Sequence, residues 1–154
     1  FDVALDIALP GDRRGVIGVE TKYHEHAQRE PAPSGSVLAR YLDTAERSGA
    51  FAEGWQGAVV GTDLQQIWLD HLLLLAMLQH RSERWSWGRF VVIAPEANAS
   101  IVSAVARYRA VLRDEATFGW LSLEEMLGPR SPLVEETRAA LVERYLPGAH
   151  SVDG

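Results

Sequence analysis

Glu20 and Lys22 stand two residues apart in the stretch from residue 16 to 23, which is rich in β-branched residues. In a strand, residues two apart leave the same face, so a carboxylate and an ammonium project together while Ile17, Val19, Thr21 and Tyr23 face the other way. Upstream, Asp2 and Asp6 alternate with Val3, Leu5, Ile7 and Leu9 in the same period of two. If the two strands pair with their apolar faces buried together, the even-numbered residues share one surface. Asp2 and Asp6 then become cross-strand or diagonal neighbours of Glu20. Carboxylates gathered around a point repel one another unless a cation relieves them. Mg²⁺ (or Mn²⁺) suits such a set, because it takes few carboxylates, keeps several waters and accepts a phosphate oxygen. The chemistry this supports is attack of a metal-bound water on a phosphodiester. The amine would orient or deprotonate that water, or neutralise charge on the phosphorane. Lys22 is the sole lysine among 15 basic residues, and a guanidinium, which keeps its proton, would do that work badly.

The elements that must position these groups follow from pattern. Residues 2–9 read as a half-buried strand, Pro10 to Gly15 as a turn and residues 16–23 as a second strand, so the chain opens on a β-hairpin. Glu30 to Ser36 is a loop, Val37 to Ser48 a helix closed by Gly49, and the segment from Ala50 to Gly61 has no clear period. Thr62 and Gln65 have the spacing of a capping box before a long apolar helix reaching about His80. Trp87 to Ala94 reads as a central strand covered on both sides. Asn98 or Ser100 caps a helix to about Asp114, Thr117 to Leu121 is a short strand, and Ser122 with Glu125 repeats the capping box. Pro132 opens a last helix ending near Pro147 and Gly148. A hairpin followed by helix, strand, helix, strand predicts an α/β fold with a mixed sheet flanked by helices, over residues 1–154 as one domain.

Composition narrows the classes. The chain has 154 residues, 47% hydrophobic and 23% charged, enough to bury a core, and no cysteine, which excludes a disulfide framework and thiolate metal sites. Its longest apolar run, Leu72 to Leu78, is far short of the roughly 20 residues that cross a bilayer, and no charged-then-apolar leader opens the sequence. No membrane span and a cytoplasmic location are therefore expected. The net charge of −6 excludes a surface that is one continuous nucleic-acid footprint. A carboxylate metal site is itself locally acidic, so nucleic acid remains an admissible partner.

The strand Phe1-Asp2-Val3-Ala4, the turn Asp12-Arg13-Arg14-Gly15 and the run Gly18-Val19-Glu20-Thr21-Lys22-Tyr23-His24-Glu25 resemble the PD-(D/E)XK nuclease superfamily. More narrowly, they resemble a bacterial restriction-endonuclease-like branch with a Gly-x-Glu-x-Lys-Tyr-x-Glu signature. The likeness extends to Gln66-Ile67-Trp68 and His71-Leu72-Leu73 and more loosely to the strand from Phe90 to Pro95. It implies a restriction-endonuclease-like core and a metal-dependent endonuclease acting on DNA in a bacterial defence setting. Asp2 and Glu20 would be metal ligands with the backbone carbonyl of Thr21, and Lys22 the catalytic lysine. Gln66 would be the glutamine some branches carry on the helix after the catalytic strand, and Glu25 a supporting residue. Phe1 stands where the name-giving proline would be. The superfamily's leading helix has no counterpart here, and with no initiating methionine an upstream segment is expected to precede Phe1.

Other readings stay open at this stage. Asp6 rivals Asp2 as the metal-binding aspartate, although a hairpin puts Asp2 nearer Lys22. Gln65 is taken up by the capping box, whereas Gln66 is either an active-site amide or an exposed one on the first turn. His24, Glu25 and His26 could share a zinc ion, but no further ligands follow at diagnostic spacing. Asp70 and His71 sit among leucines, where a buried histidine satisfied by a backbone carbonyl is the more frequent arrangement. The tryptophans at 55, 68, 85, 87 and 120 suit a core or a subunit contact, and Arg81, Arg84 and Arg89 a solvated rim or phosphate contacts. The rival to a nuclease is a nuclease-like module that binds nucleic acid or a partner without cutting; a third reading is a hydrolase of small phosphodiesters. The acidic balance implies that DNA affinity draws on a further segment, a homo-oligomer or a partner subunit.

Overall fold

The computed structural model describes residues 1–146. The expected end of the last helix, near Pro147 and Gly148, lies outside the described residues. Four strands form one sheet in the order β1 (Val3–Leu9), β2 (Arg13–Thr21), β3 (Trp87–Ala94) and β4 (Phe118–Ser122). β1 and β2 are antiparallel with Val3 opposite Val19, and β2–β3 and β3–β4 are parallel. The turn between β1 and β2 uses positive φ at Gly11 and Asp12, the conformation glycine and aspartate tolerate best. The mixed sheet that opens on a hairpin is therefore the one the pattern predicts.

Helices α1 (Gly35–Ser48), α2 (Gln56–Val59) and α3 (Gln65–Leu78) connect β2 to β3, and α4 (Ala99–Arg109) connects β3 to β4; α5 (Leu123–Met126) and α6 (Glu135–Tyr145) follow. α1 stops where Gly49 turns left-handed at φ 66° and donates its N–H to the Glu46 carbonyl. α4 starts on Asn98, whose side chain accepts from the Ile101 N–H, while Ser100 accepts from the Ala27 N–H instead. It ends earlier than the period suggests. Leu112 pairs with Phe51, and the Ala50 and Val111 carbonyls accept from Arg113 and Ala52, which draws the chain out of the helix. The same pairing accounts for part of the stretch from Ala50 to Gly61 that had no clear period.

Two capping expectations change. The Thr62 hydroxyl accepts from the Leu64 N–H, but the Gln65 carboxamide accepts from Gly61 and donates to the Pro31 carbonyl. Gln65 is thus a buried loop fastener, and α3 begins without a capping box. At the far end, α6 begins at Glu135 rather than at Pro132, because Val134 is still extended at ψ 144°. Ser122 does cap α5, its hydroxyl accepting from the Glu125 N–H.

Which face of the sheet is covered also differs from expectation. The apolar odd-numbered column was expected to be buried, yet α3 packs on the even-numbered one: Val16, Phe90, Val92 and Phe118 are all within 1% of full burial. A Cβ added at Gly88 would meet Leu78 at 3.0 Å and Leu74 at 3.2 Å, so the helix lies directly against this face. On the other face Val3 and Leu5 remain 46% and 47% exposed, and Trp87 39%. β3 is therefore sealed on one side and half-covered on the other. The even column of β3, Gly88, Phe90, Val92 and Ala94, is wholly apolar and lets α3 approach closely at Gly88, whereas the odd column carries the charged Arg89 between Trp87 and Val91. Trp55 and Trp68 lie in the core. Among the described residues no helix is long and apolar enough to cross a membrane.

Candidate active site

Glu20 and Lys22 lie at the C-terminal end of β2, on the helix-covered face, and are 8% and 9% exposed. Lys22 Nζ is 2.6 Å from Glu20 Oε1, so the two groups expected to leave one face do so as a close ion pair. The backbone holds the pair firmly: Glu20 lies beside Val92 in the parallel ladder, and the Lys22 N–H donates to the Ile93 carbonyl at 2.8 Å. Two ionisable side chains this far from water are costly unless each has its counter-charge, which here each has.

Asp2 arrives from the paired strand but not quite as expected. Its Oδ2 accepts from the Thr21 N–H at 2.8 Å and from the Thr21 hydroxyl at 2.6 Å. These bonds, side-chain first and backbone second, hold its carboxyl below the usual carboxylate range, with the nearby Lys22 ammonium adding to the effect. Asp2 therefore flanks the ion pair at the residue between its two members, rather than sharing the even face with Glu20. The alternation is broken by Phe1, whose ring lies over Gly18: a Cβ there would stand 2.6 Å from Phe1 Cε1. The ring also stacks on Phe90 with centroids 6.2 Å apart. With the Phe1 ring on the covered face, the next side chain turns outward.

Asp6 is placed differently. Arg14 and Arg84 donate to its two oxygens at 2.8 and 2.7 Å, and this bracketing lowers its carboxyl to about 2. It lies opposite Val16, four residues along β2 from Glu20. Gln66 is exposed on the first turn of α3. Asp70, one helical turn further on and half-buried, reaches the site: its Oδ1 is 2.9 Å from the Phe1 nitrogen, which also lies 3.7 Å from Glu20 Oε2. The sequence leaves the role of Asp70 open, and a charge kept within a leucine-rich helix is the signal that points to it.

The other residues singled out fall outside this cluster. His71 is fully buried, with Nδ1 3.0 Å from the Tyr108 hydroxyl and Nε2 2.9 Å from the Thr117 hydroxyl. It is satisfied by two hydroxyls rather than a carbonyl, and burial pushes its imidazole down to about 3. His24 and His26 are exposed and line, with Asn98 and Glu124, a cavity of about 750 Å³ next to the end of β2. Glu25 accepts from the His24 N–H and is lowered by backbone hydrogen bonds. Of the arginines after α3, Arg84 is spent on Asp6 and Arg89 donates to the Phe118 carbonyl.

A hard divalent cation needs oxygen donors beside a group that handles phosphate. Asp2 and Glu20 supply carboxylates, Thr21 lies between Glu20 and Lys22, and Lys22 supplies the ammonium, so the donor chemistry fits. Among the described residues, however, no three acids or histidines converge as a ready-made metal cage. An ion there would draw on the Asp2 and Glu20 carboxylates, the Thr21 carbonyl and water. The family described as the PD-(D/E)XK nuclease superfamily matches residues 1–147. No curated protein and no solved structure matches the chain.

Proposed function

We propose that this chain, which belongs to the PD-(D/E)XK nuclease superfamily, hydrolyses phosphodiester bonds of DNA with the help of Mg²⁺ or Mn²⁺. The observation that carries this reading is the buried Glu20–Lys22 pair, 2.6 Å apart, with Asp2 anchored on the intervening Thr21. Asp2, Glu20 and the Thr21 carbonyl would hold the ion. When bound, the ion supplies Lewis-acid polarisation of the phosphate and a water of lowered pKa.

The chain's own residues supply the rest. Lys22 carries a compact ammonium whose donors can turn from Glu20 towards a phosphoryl oxygen or an attacking water, neutralising charge that develops in the transition state. Glu20 keeps that ammonium aimed. Asp2, low in its titration, stays anionic and available as an oxygen donor. Gln66, at the exposed start of α3, is read as a substrate-side amide. A restriction-like role in bacterial defence, following the Gly18-to-Glu25 signature, is part of the proposal, as is a further segment, a second copy or a partner subunit to strengthen the hold on DNA.

A second reading, a nuclease-like module that binds without cutting, is favoured by one observation: the described acids form no group of three. Plasmid cleavage across Mg²⁺, Mn²⁺ and EDTA, with Lys22→Ala and Glu20→Ala alongside, separates the two. Metal-dependent cutting lost in both variants supports the nuclease. DNA binding that survives both variants, with no cutting in any metal, supports the module.

A further inference from the structure

A cavity of about 380 Å³ lies where the C-terminal ends of β2 and β3 meet α5 and α6. Its walls are apolar for the most part: Ile93 from β3, Met126 and Leu127 at the end of α5, and Leu141 from α6. Apolar walls ordinarily close on one another, so a hollow of this size needs something to keep it open. Two polar braces do so. Near the start of α6 the Arg138 guanidinium donates to the Leu127 carbonyl at 3.2 Å. At the other end the Tyr145 carbonyl, one of those a helix terminus leaves without an internal partner, accepts from the Tyr23 hydroxyl at 2.7 Å. Of the residues of α6 only Val142 is buried, so the helix is held at both ends while little of it sinks into the core.

We propose that this cavity is a subsite for one nucleobase of the substrate, taken out of its stack while the adjoining phosphate lies beside Lys22; the proposal rests on the phosphodiesterase reading above. Three features point to a base. Thr21 and Lys22 line the cavity and also belong to the candidate site, so an occupant is next to the place a phosphate would take. Tyr23 and Tyr145, edge to face with centroids 4.9 Å apart, give it aromatic walls. Stacking between aromatic and apolar side chains offsets the cost of leaving the duplex and tolerates every base, since each has a flat face. The volume, finally, falls within the roughly 300–1,000 Å³ of small-molecule sites. The Thr21 hydroxyl is engaged by Asp2 and the Tyr23 hydroxyl by the Tyr145 carbonyl, so neither reads a base edge. The cavity therefore selects a flat ring rather than a particular base.

Methyl NMR on the full chain in Mg²⁺ tests this by titration with deoxyadenosine monophosphate, thymidine monophosphate, deoxyribose 5-phosphate and deoxyadenosine. Both nucleotides are expected to shift the methyls of Met126, Leu127 and Leu141 to saturation. Deoxyribose 5-phosphate, which lacks the ring, should bind roughly ten- to a hundredfold more weakly, the worth of one stacked base, and deoxyadenosine, which lacks the phosphate, more weakly than its monophosphate. Nucleotides that leave these methyls unmoved overturn the proposal, as does deoxyribose 5-phosphate or deoxyadenosine binding as tightly as the nucleotide. Leu141→Trp and Met126→Trp fill the cavity from α6 and α5, with the Phe90 amide as a check that the sheet is intact. Each is expected to abolish the nucleotide shifts at Leu127 and to slow DNA cleavage about tenfold or more. Cleavage at the wild-type rate in both filled variants overturns the subsite and leaves the nuclease reading in place. A wild type that binds the nucleotides in the cavity but cuts no DNA in Mg²⁺ or Mn²⁺ supports the base site and removes the nuclease reading.

Discussion

Lys22 Nζ lies 2.6 Å from Glu20 Oε1 with both side chains about nine-tenths buried, so neither charge can be removed without stranding the other. Truncating one partner of such a pair costs about 3 kcal/mol or more, whereas replacing both by apolar groups costs far less. Lys22→Met and Glu20→Leu singly are therefore expected to lower urea stability more than the two combined. Lys22→Arg should retain the charge but not metal-dependent cleavage, because a planar fork cannot take the place of a compact ammonium. Equilibrium unfolding and a cleavage assay on the same variants check both statements.

Asp2 and Asp6 should separate cleanly. Asp6 is neutralised by Arg14 and Arg84, so Asp6→Ala is expected to leave metal-dependent cleavage intact, while Asp2→Ala abolishes it. In the wild type, the Asp6 carboxyl carbon should titrate near 2 in an NMR pH series, and near the ordinary aspartate range once Arg14 and Arg84 are both changed to Ala.

His71 makes a pH prediction with a definite sign. Its folded pKa is about 3 against 6.5 when unfolded, so between those values the unfolded chain binds a proton that the folded chain does not. Stability therefore falls as pH drops from about 6.5 towards 3, by at most about 1.4 kcal/mol per pH unit from this residue. His71→Gln, which cannot titrate there, is expected to flatten the slope of wild-type urea stability between pH 6.5 and 4.5, even if it lowers stability throughout.

Gly18→Ala places a methyl group 2.6 Å from the Phe1 ring, which must move. Because the ring lies at the start of β1, the expected loss of stability is modest, about 1 kcal/mol. Thr21, whose N–H donates to Asp2, is expected to lose amide protection as it would in Asp2→Ala. Thermal melts combined with exchange distinguish this local release from general unfolding.

The hairpin, β3 and the common face of Glu20 and Lys22 were legible in sequence because period-two alternation and turn residues are local signals. Which sheet face the helices cover was not, since both columns of β2 are apolar: Val16 with Gly18 on one side, Ile17 with Val19 on the other. Tertiary packing made that choice through Phe90 and Val92. Nor was the inward turn of Phe1 legible, because the vacancy it fills belongs to a glycine seventeen residues away in the hairpin partner. Asp70 was hidden for the same reason: the group it meets lies 69 residues away in the sequence. The early end of α4 depended on a single bridge between Phe51 and Leu112.

His71, next to Asp70, carries a consequence for how the site meets its ligands. Its ring is clasped between Tyr108 on α4 and Thr117 ahead of β4, at opposite nitrogens. A helix gripped on both sides of one ring can neither roll nor slide without breaking that clasp, so the direction in which its neighbouring carboxylate points is set during folding. Whatever binds beside the Glu20–Lys22 pair meets, on the α3 side, a carboxylate whose place is already fixed.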